Sequence, residues 1–216
     1  MIRLSKGLKP VWISVNQESK TLEYENAARG CEPSPWREST ILEALRRETN
    51  SKCMYCEGII DDVSYAEVEH IQPKGLFKNL VLEWDNLGLV CKRCNVSKGA
   101  YWTDNASLQL LNPYKDIPEL HIEFHGPMIT ACADSTRGKN TLRQLKFPER
   151  TDLLLSRARA IENINRIIEL WAQAADLEVK ELLADDVHVA LCHDKEYSGT
   201  LRAFARSKGF PLRDQY

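Results

Sequence analysis

The chain has 216 residues, 43% of them hydrophobic and 28% charged, a composition that suits one compact unit and excludes disorder or a fibrous repeat. Twenty-nine lysines and arginines against 31 aspartates and glutamates leave a formal net charge of -2, which excludes a protein that grips nucleic acid by bulk positive charge. Apolar runs such as 87–90 and 153–155 are too short to cross a membrane, and the first seven residues lack the apolar stretch of a secretory signal, so a cytoplasmic location is expected.

In chain order, residues 1–33 carry no sustained period and read as an extended N-terminal arm that wraps the body or a partner. A helix is predicted from Ser34 as cap and Pro35 in the first turn to Asn50, with Trp36, Ile41, Leu42 and Leu45 on one face. Residues 51–101 hold the chemistry, and 101–118 read as a connection. A hairpin is predicted from 120–124 and 128–133 around His125-Gly126-Pro127, with His121, Glu123 and His125 pointing outward. The remainder is predicted helical, over 140–147, 150–175, 177–183 and 195–207, with Gly209 as the final stop. Residues 137–166 hold eight basic side chains (Arg137, Lys139, Arg143, Lys146, Arg150, Arg157, Arg159, Arg166) against three acids, and 167–196 reverse that balance. The basic stretch is either a set of solvated helix faces or a surface that meets phosphate.

Seven cysteines cannot all pair internally, and reduced cytosolic thiols point away from a disulfide framework. Cys53 and Cys56 form one C-x-x-C pair, Cys91 and Cys94 a second, with 34 residues between the pairs. Four thiolates in two such turns are the ligand set of a tetrahedral structural zinc site, with no open position for catalysis. Cys31, Cys132 and Cys192 are expected to be buried small apolar residues. His188 and His193 are expected at the surface, the tryptophans in the core, and His121 with His125 lacks a third metal ligand.

Between the cysteine pairs the chain reads Glu67-Val68-Glu69-His70-Ile71-Gln72-Pro73-Lys74, then Asn86-Leu87, then Cys91-x-x-Cys94-Asn95-x-x-Lys98. This set resembles the HNH endonuclease motif in its zinc-containing form. The resemblance implies an α+β fold: a ββα-metal core with a four-cysteine zinc knuckle, embedded in a mainly helical chain. The expected layout is the arm over 1–33, the nuclease core with its preceding helix over 34–118, and a hairpin with a helical region over 119–216. Looser patterns, Arg3-Leu4-Ser5-Lys6, Asn112-Pro113-Tyr114 and Arg137-Gly138-Lys139-x-Thr141-Leu142, look like the PtuB-type HNH nucleases of anti-phage systems such as Septu. That likeness implies an ABC-type ATPase partner (PtuA-like), and the near-neutral net charge predicts that a partner recruits the substrate, with the arm and helical tail as docking surface.

The HNH resemblance further implies residue roles. His70 is the general base, with a pKa suited to neutral pH. Glu69 and Asn95 are oxygen ligands to a catalytic Mg2+ or Mn2+, leaving water and phosphate in its shell. Asn86 holds His70 in place, and Lys98 and Lys74 meet phosphate. Glu69 stands where the family often has Asp, and Asn95 where it often has His, a choice that favours hard, oxygen-binding cations. The implied substrate is nucleic acid, DNA before RNA. A zinc-stabilised binding module without catalysis, and a stand-alone restriction-type HNH nuclease, are the alternatives.

Overall fold

The computed structural model describes residues 1–60 and 65–213. Two antiparallel two-stranded sheets lie in a mainly helical frame. The order of the regular elements is α1 (Val11–Asn26), α2 (Ser39–Thr49), β1 (Ala66–His70), β2 (Leu87–Cys91), α3 (Lys92–Lys98), β3 (Ile122–His125), β4 (Met128–Ala131), α4 (Thr136–Gln144), α5 (Thr151–Gln173), α6 (Leu177–Ala190) and α7 (Ser198–Ser207).

The first sheet pairs β1 with β2 in the register Ala66↔Cys91 to His70↔Leu87. β2 is buried along its whole length, which is why its sequence, Leu-Gly-Leu-Val-Cys, is apolar without alternation. Cys91 ends β2 and caps α3, so the second cysteine knuckle joins the last strand to the helix. The second sheet is the predicted hairpin. Its two-residue turn, Gly126-Pro127, places glycine at φ +56°, the left-handed first position that a type II′ turn requires. Glu123 and His125 face outward as expected and pair with each other at 3.3 Å.

Burial forms two clusters. The larger joins Met1, Leu4, Ile13 and Tyr24 to α2, the cysteine loops, both motif strands, and Leu142, Leu145, Phe147 and Leu153. The smaller is made by α5, α6, α7 and Phe210. No helix among the described residues is long and apolar enough to cross a membrane.

Several expectations are corrected. The arm contains a four-turn helix, α1, whose only buried residues are Ile13 and Tyr24. With Val11, Val15 and Leu22 exposed, its sequence shows no apolar stripe, and long-range contacts rather than periodicity hold it. Residues 1–10 do wrap the body: Lys6 lies over the Trp84 ring at 3.8 Å and donates to the Leu87 carbonyl at 2.7 Å. The next helix begins four residues later than expected, because Pro35–Arg37 make a separate 3-10 turn that turns Trp36 inward and Glu38 caps α2 instead. α4 starts at Thr136, since Ser135 caps it through the Gly138 amide, and α6 continues to Ala190. His188 is buried against Phe210 with ring centroids 5.0 Å apart, not at the surface. Cys31 is exposed, and Cys132 and Cys192 are half-buried.

α4 crosses the chain at Gly138 so closely that a Cβ there would overlap the His121 carbonyl oxygen, a backbone atom. Gly138→Ala is therefore expected to destabilise the protein by about 2 kcal/mol or more, read as a lower urea midpoint. Gly75→Ala, which adds a Cβ with nothing within 4 Å, is the control and should change the midpoint little.

Candidate active site

The four knuckle cysteines converge. Their Sγ atoms all lie within 4.8 Å of one another, and all four residues are buried. The Cys56–Cys91 separation is 3.9 Å, close to the edge of about 3.8 Å of a tetrahedron with Zn–S bonds of about 2.3 Å, and far from a disulfide. The cluster is therefore compatible with a zinc knuckle. It fastens the loop after α2 to the β2–α3 junction, and the Met54 amide adds a hydrogen bond to the Leu89 carbonyl. Two buried arginines from the basic stretch back it. Arg150 donates to the Cys94 sulfur at 3.2 Å, and Arg157 reaches the Cys56 carbonyl at 3.5 Å.

At the far end of β1, Val68, Glu69, His70, Pro73, Lys74 and Asn95 line one cavity of about 340 Å3. The structure thus brings together four of the sequence-expected site residues, Glu69, His70, Lys74 and Asn95. His70 Nε2 lies 3.0 Å from the Val81 carbonyl. A carbonyl can only accept, so Nε2 carries the proton and Nδ1 keeps its lone pair. The ring packs edge-on against Trp36, with centroids 4.9 Å apart. Burial above all, with the charges of Lys74 and Lys98, pulls the imidazole pKa down to about 4 against the opposing bond to Val81. The group is neutral at pH 7, but its pKa lies below the near-neutral value that the sequence reading expects of this base, because burial disfavours the imidazolium.

Glu69 is almost fully buried, and burial pushes its pKa up to about 7 in spite of the Lys98 charge. Its Oε1 pairs with Lys98 at 2.8 Å, whereas its Oε2 is buried without a hydrogen-bond partner among the described residues. An orphaned carboxylate oxygen in a cavity shared with the Asn95 amide fits a hard divalent cation. Asn86 bridges the loop that follows β1: its Oδ1 accepts from the Gln72 amide at 2.7 Å, and its Nδ2 donates to the carbonyls of Gln72 and Leu80. With the Ile71 amide bonded to the Asn86 carbonyl at 2.9 Å, this fixes the backbone beside His70.

Lys98 departs from expectation. It is 2% exposed, with Nζ donating to the His70 carbonyl at 2.9 Å as well as pairing with Glu69, so it lies beneath the site instead of reaching for phosphate. Lys98→Met would leave a buried carboxylate uncompensated, at an expected cost of about 3 kcal/mol, partly relieved if Glu69 takes up a proton. Adding Glu69→Gln should recover most of that loss in urea denaturation. Lys74 lies at the cavity, with Nζ 5.0 Å from the Trp36 ring centre.

Two contributors were missed in the sequence. Glu67 accepts from Asn95 Nδ2 at 2.6 Å; the alternation Glu67-x-Glu69, which puts both carboxylates on one strand face, was the available signal. Tyr24 of α1 lines the same cavity and packs edge-on against Trp36 at 5.7 Å. Nothing local in the sequence of α1 announces that. Part of the basic stretch is spent internally: Arg137 makes a fork to Asp116 at 2.6 and 2.9 Å, and Arg150 and Arg157 back the cysteines, whereas Arg166 pairs with Glu162 at the surface.

An antiparallel strand pair, a loop stapled by an asparagine, and a helix entered through a cysteine knuckle stand where the family comparison falls: residues 53–100 match the HNH endonuclease family. Over a longer span, the chain is 34% identical across 177 residues to Septu protein PtuB of Bacillus thuringiensis, covering 79% of this chain and 65% of the relative. It is 30% identical across 158 residues to Septu protein PtuB of Bacillus mycoides (strain KBAB4), covering 60% of this chain and 53% of the relative. The chain thus spans between half and two thirds of the length of these relatives.

Proposed function

We propose that the protein is a metal-dependent endonuclease that hydrolyses phosphodiester bonds, acting in anti-phage defence as a Septu-type effector. The observation that carries this reading is one cavity holding a neutral His70 with a free Nδ1 lone pair beside the Glu69 carboxylate, whose second oxygen is orphaned. His70 Nδ1 takes the proton of the attacking water. The Val81 carbonyl and the Trp36 edge hold the ring while that proton moves. Glu69 and Asn95 would hold Mg2+ or Mn2+, with Glu67 orienting the Asn95 amide. That ion, when bound, supplies charge neutralisation at the scissile phosphate. Lys74 meets a phosphate of the substrate, and Asn86 keeps the loop from carrying His70 out of line. The four cysteines hold zinc structurally.

The surface supports a second chain as recruiter of substrate. Three of the eight basic residues of 137–166, Arg137, Arg150 and Arg157, are turned to internal partners, which reduces the surface left for a polyanion, and apolar side chains stand exposed on α1 (Val11, Val15) and α6 (Leu177, Leu182, Val189). An ABC-type ATPase is the partner that the family likeness implies. DNA is proposed before RNA.

The test is cleavage of plasmid, single-stranded DNA and RNA by the purified chain, alone and with the partner, in Mg2+ or Mn2+ and after removal of divalent cations. Cleavage that needs the cation supports the assignment. Binding to nucleic acid without cleavage under every condition would instead establish a zinc-stabilised binding module.

A further inference from the structure

A second cavity, of about 520 Å3, opens between the β3–β4 hairpin, α4 and the start of α5, and shares no lining residue with the His70 cavity. Its walls are apolar, from Met128, Ile129, Leu142, Phe147 and Leu154. Four cations stand among them, Lys139, Arg143, Arg150 and Arg157, against one acid, Glu149. Arg150 and Arg157 are 8% and 3% exposed, and the Nε–H of each is buried without a hydrogen-bond partner among the described residues. A guanidinium N–H left unpaired in an apolar wall is costly unless an acceptor comes to it. The N-terminus of α5, a 23-residue helix, lies at the same place through Arg150 and Thr151, and no side chain caps it. A positive helix end and unsatisfied donors favour an anion. The apolar walls and a volume within the range of small-molecule pockets favour one with an organic body.

We propose that this cavity binds a small phosphorylated organic molecule of mononucleotide size, its phosphate toward Arg143, Lys139, the Arg150 guanidinium and the start of α5 and its body against Phe147 and Leu154. Lys139 and Arg143, which have no ion-pair partner among the described residues, match a phosphate dianion better than a single carboxylate, while Arg150 is already shared with Asp152 and the Cys94 sulfur. The site is independent of the cleavage reaction, so its test does not require an active nuclease.

Calorimetric titration of the zinc-loaded full chain with adenosine 5′-monophosphate, adenosine and inorganic phosphate decides it. The expected result is one saturable site for the nucleotide with Kd below about 1 mM, and binding at least about tenfold weaker for adenosine or phosphate alone. The double variant Lys139→Ala, Arg143→Ala alters exposed side chains and should keep zinc content and melting temperature while weakening the nucleotide at least about tenfold. Leu154→Trp, which fills the cavity from a partly exposed position, should remove binding. Absence of nucleotide binding overturns the proposal, as does affinity that neither variant changes or phosphate that binds as tightly as the nucleotide.

Discussion

His70→Ala will reduce cleavage by about 100- to 10,000-fold while leaving the fold in place, the range expected when a positioned general base is lost. The effect should fall on kcat, because the imidazole acts on the attacking water and not on the nucleic acid. The variant loses the hydrogen bond to Val81 and the edge contact with Trp36, so its melting temperature will drop, but its zinc content will not. Trp36→Phe keeps an aromatic ring beside His70 and should leave most of the rate, whereas Asn86→Ala frees the 71–80 loop at two of its carbonyls and one amide. A folded, zinc-loaded His70→Ala protein that cleaves at the wild-type rate would falsify the assignment of His70.

The cysteine arithmetic was legible from spacing, and the order of the motif residues from their resemblance to the HNH motif. Two C-x-x-C turns must aim at one point, and Glu69-His70, Asn86 and Asn95 fall on consecutive elements of one small unit. The hairpin was legible for a similar reason, since Gly126 before Pro127 suits only one tight turn. What could not be read is whatever distant packing decides. α1 hides only Ile13 and Tyr24, so its period is invisible, yet Tyr24 reaches the His70 cavity. Lys98 looked like a surface cation one turn after Asn95; the buried Glu69 opposite it draws the ammonium inward. The basic stretch looked continuous, but Arg137, Arg150 and Arg157 turn to partners far away in the chain, Asp116, Cys94 and Cys56. Charge counted along the sequence therefore overstated what is left for phosphate.

Loss of the knuckle ion will cost more stability than any single change to the cavity around His70. The loop that carries Cys53 and Cys56 is bracketed by Asn50, Ser51 and Glu57, three non-glycine residues at φ +52°, +58° and +66°. Each costs of order 1 kcal/mol and persists only where its surroundings over-determine it. The Asn50 amide bonds back to the Arg46 and Arg47 carbonyls and the Ser51 amide to that of Arg46, and convergence of the four sulfurs on one ion would add to that constraint. Structural zinc in small fingers is worth about 10–16 kcal/mol of apparent binding energy, and here a larger core shares the load. Cys94→Ser is therefore expected to lower stability by at least about 3 kcal/mol, or about 6–12 °C in melting temperature for a chain of this size. It would also leave the Arg150 guanidinium, now 3.2 Å from the Cys94 sulfur, buried beside a weakened negative centre. Strong chelation of the wild-type chain should give a shift of similar size that zinc reverses. Cys31→Ser is the matched control: that thiol is exposed and outside the cluster, and its loss should move the transition by less than about 1 °C. Equal effects of the two serine variants would show that the four sulfurs hold no ion that matters to the fold.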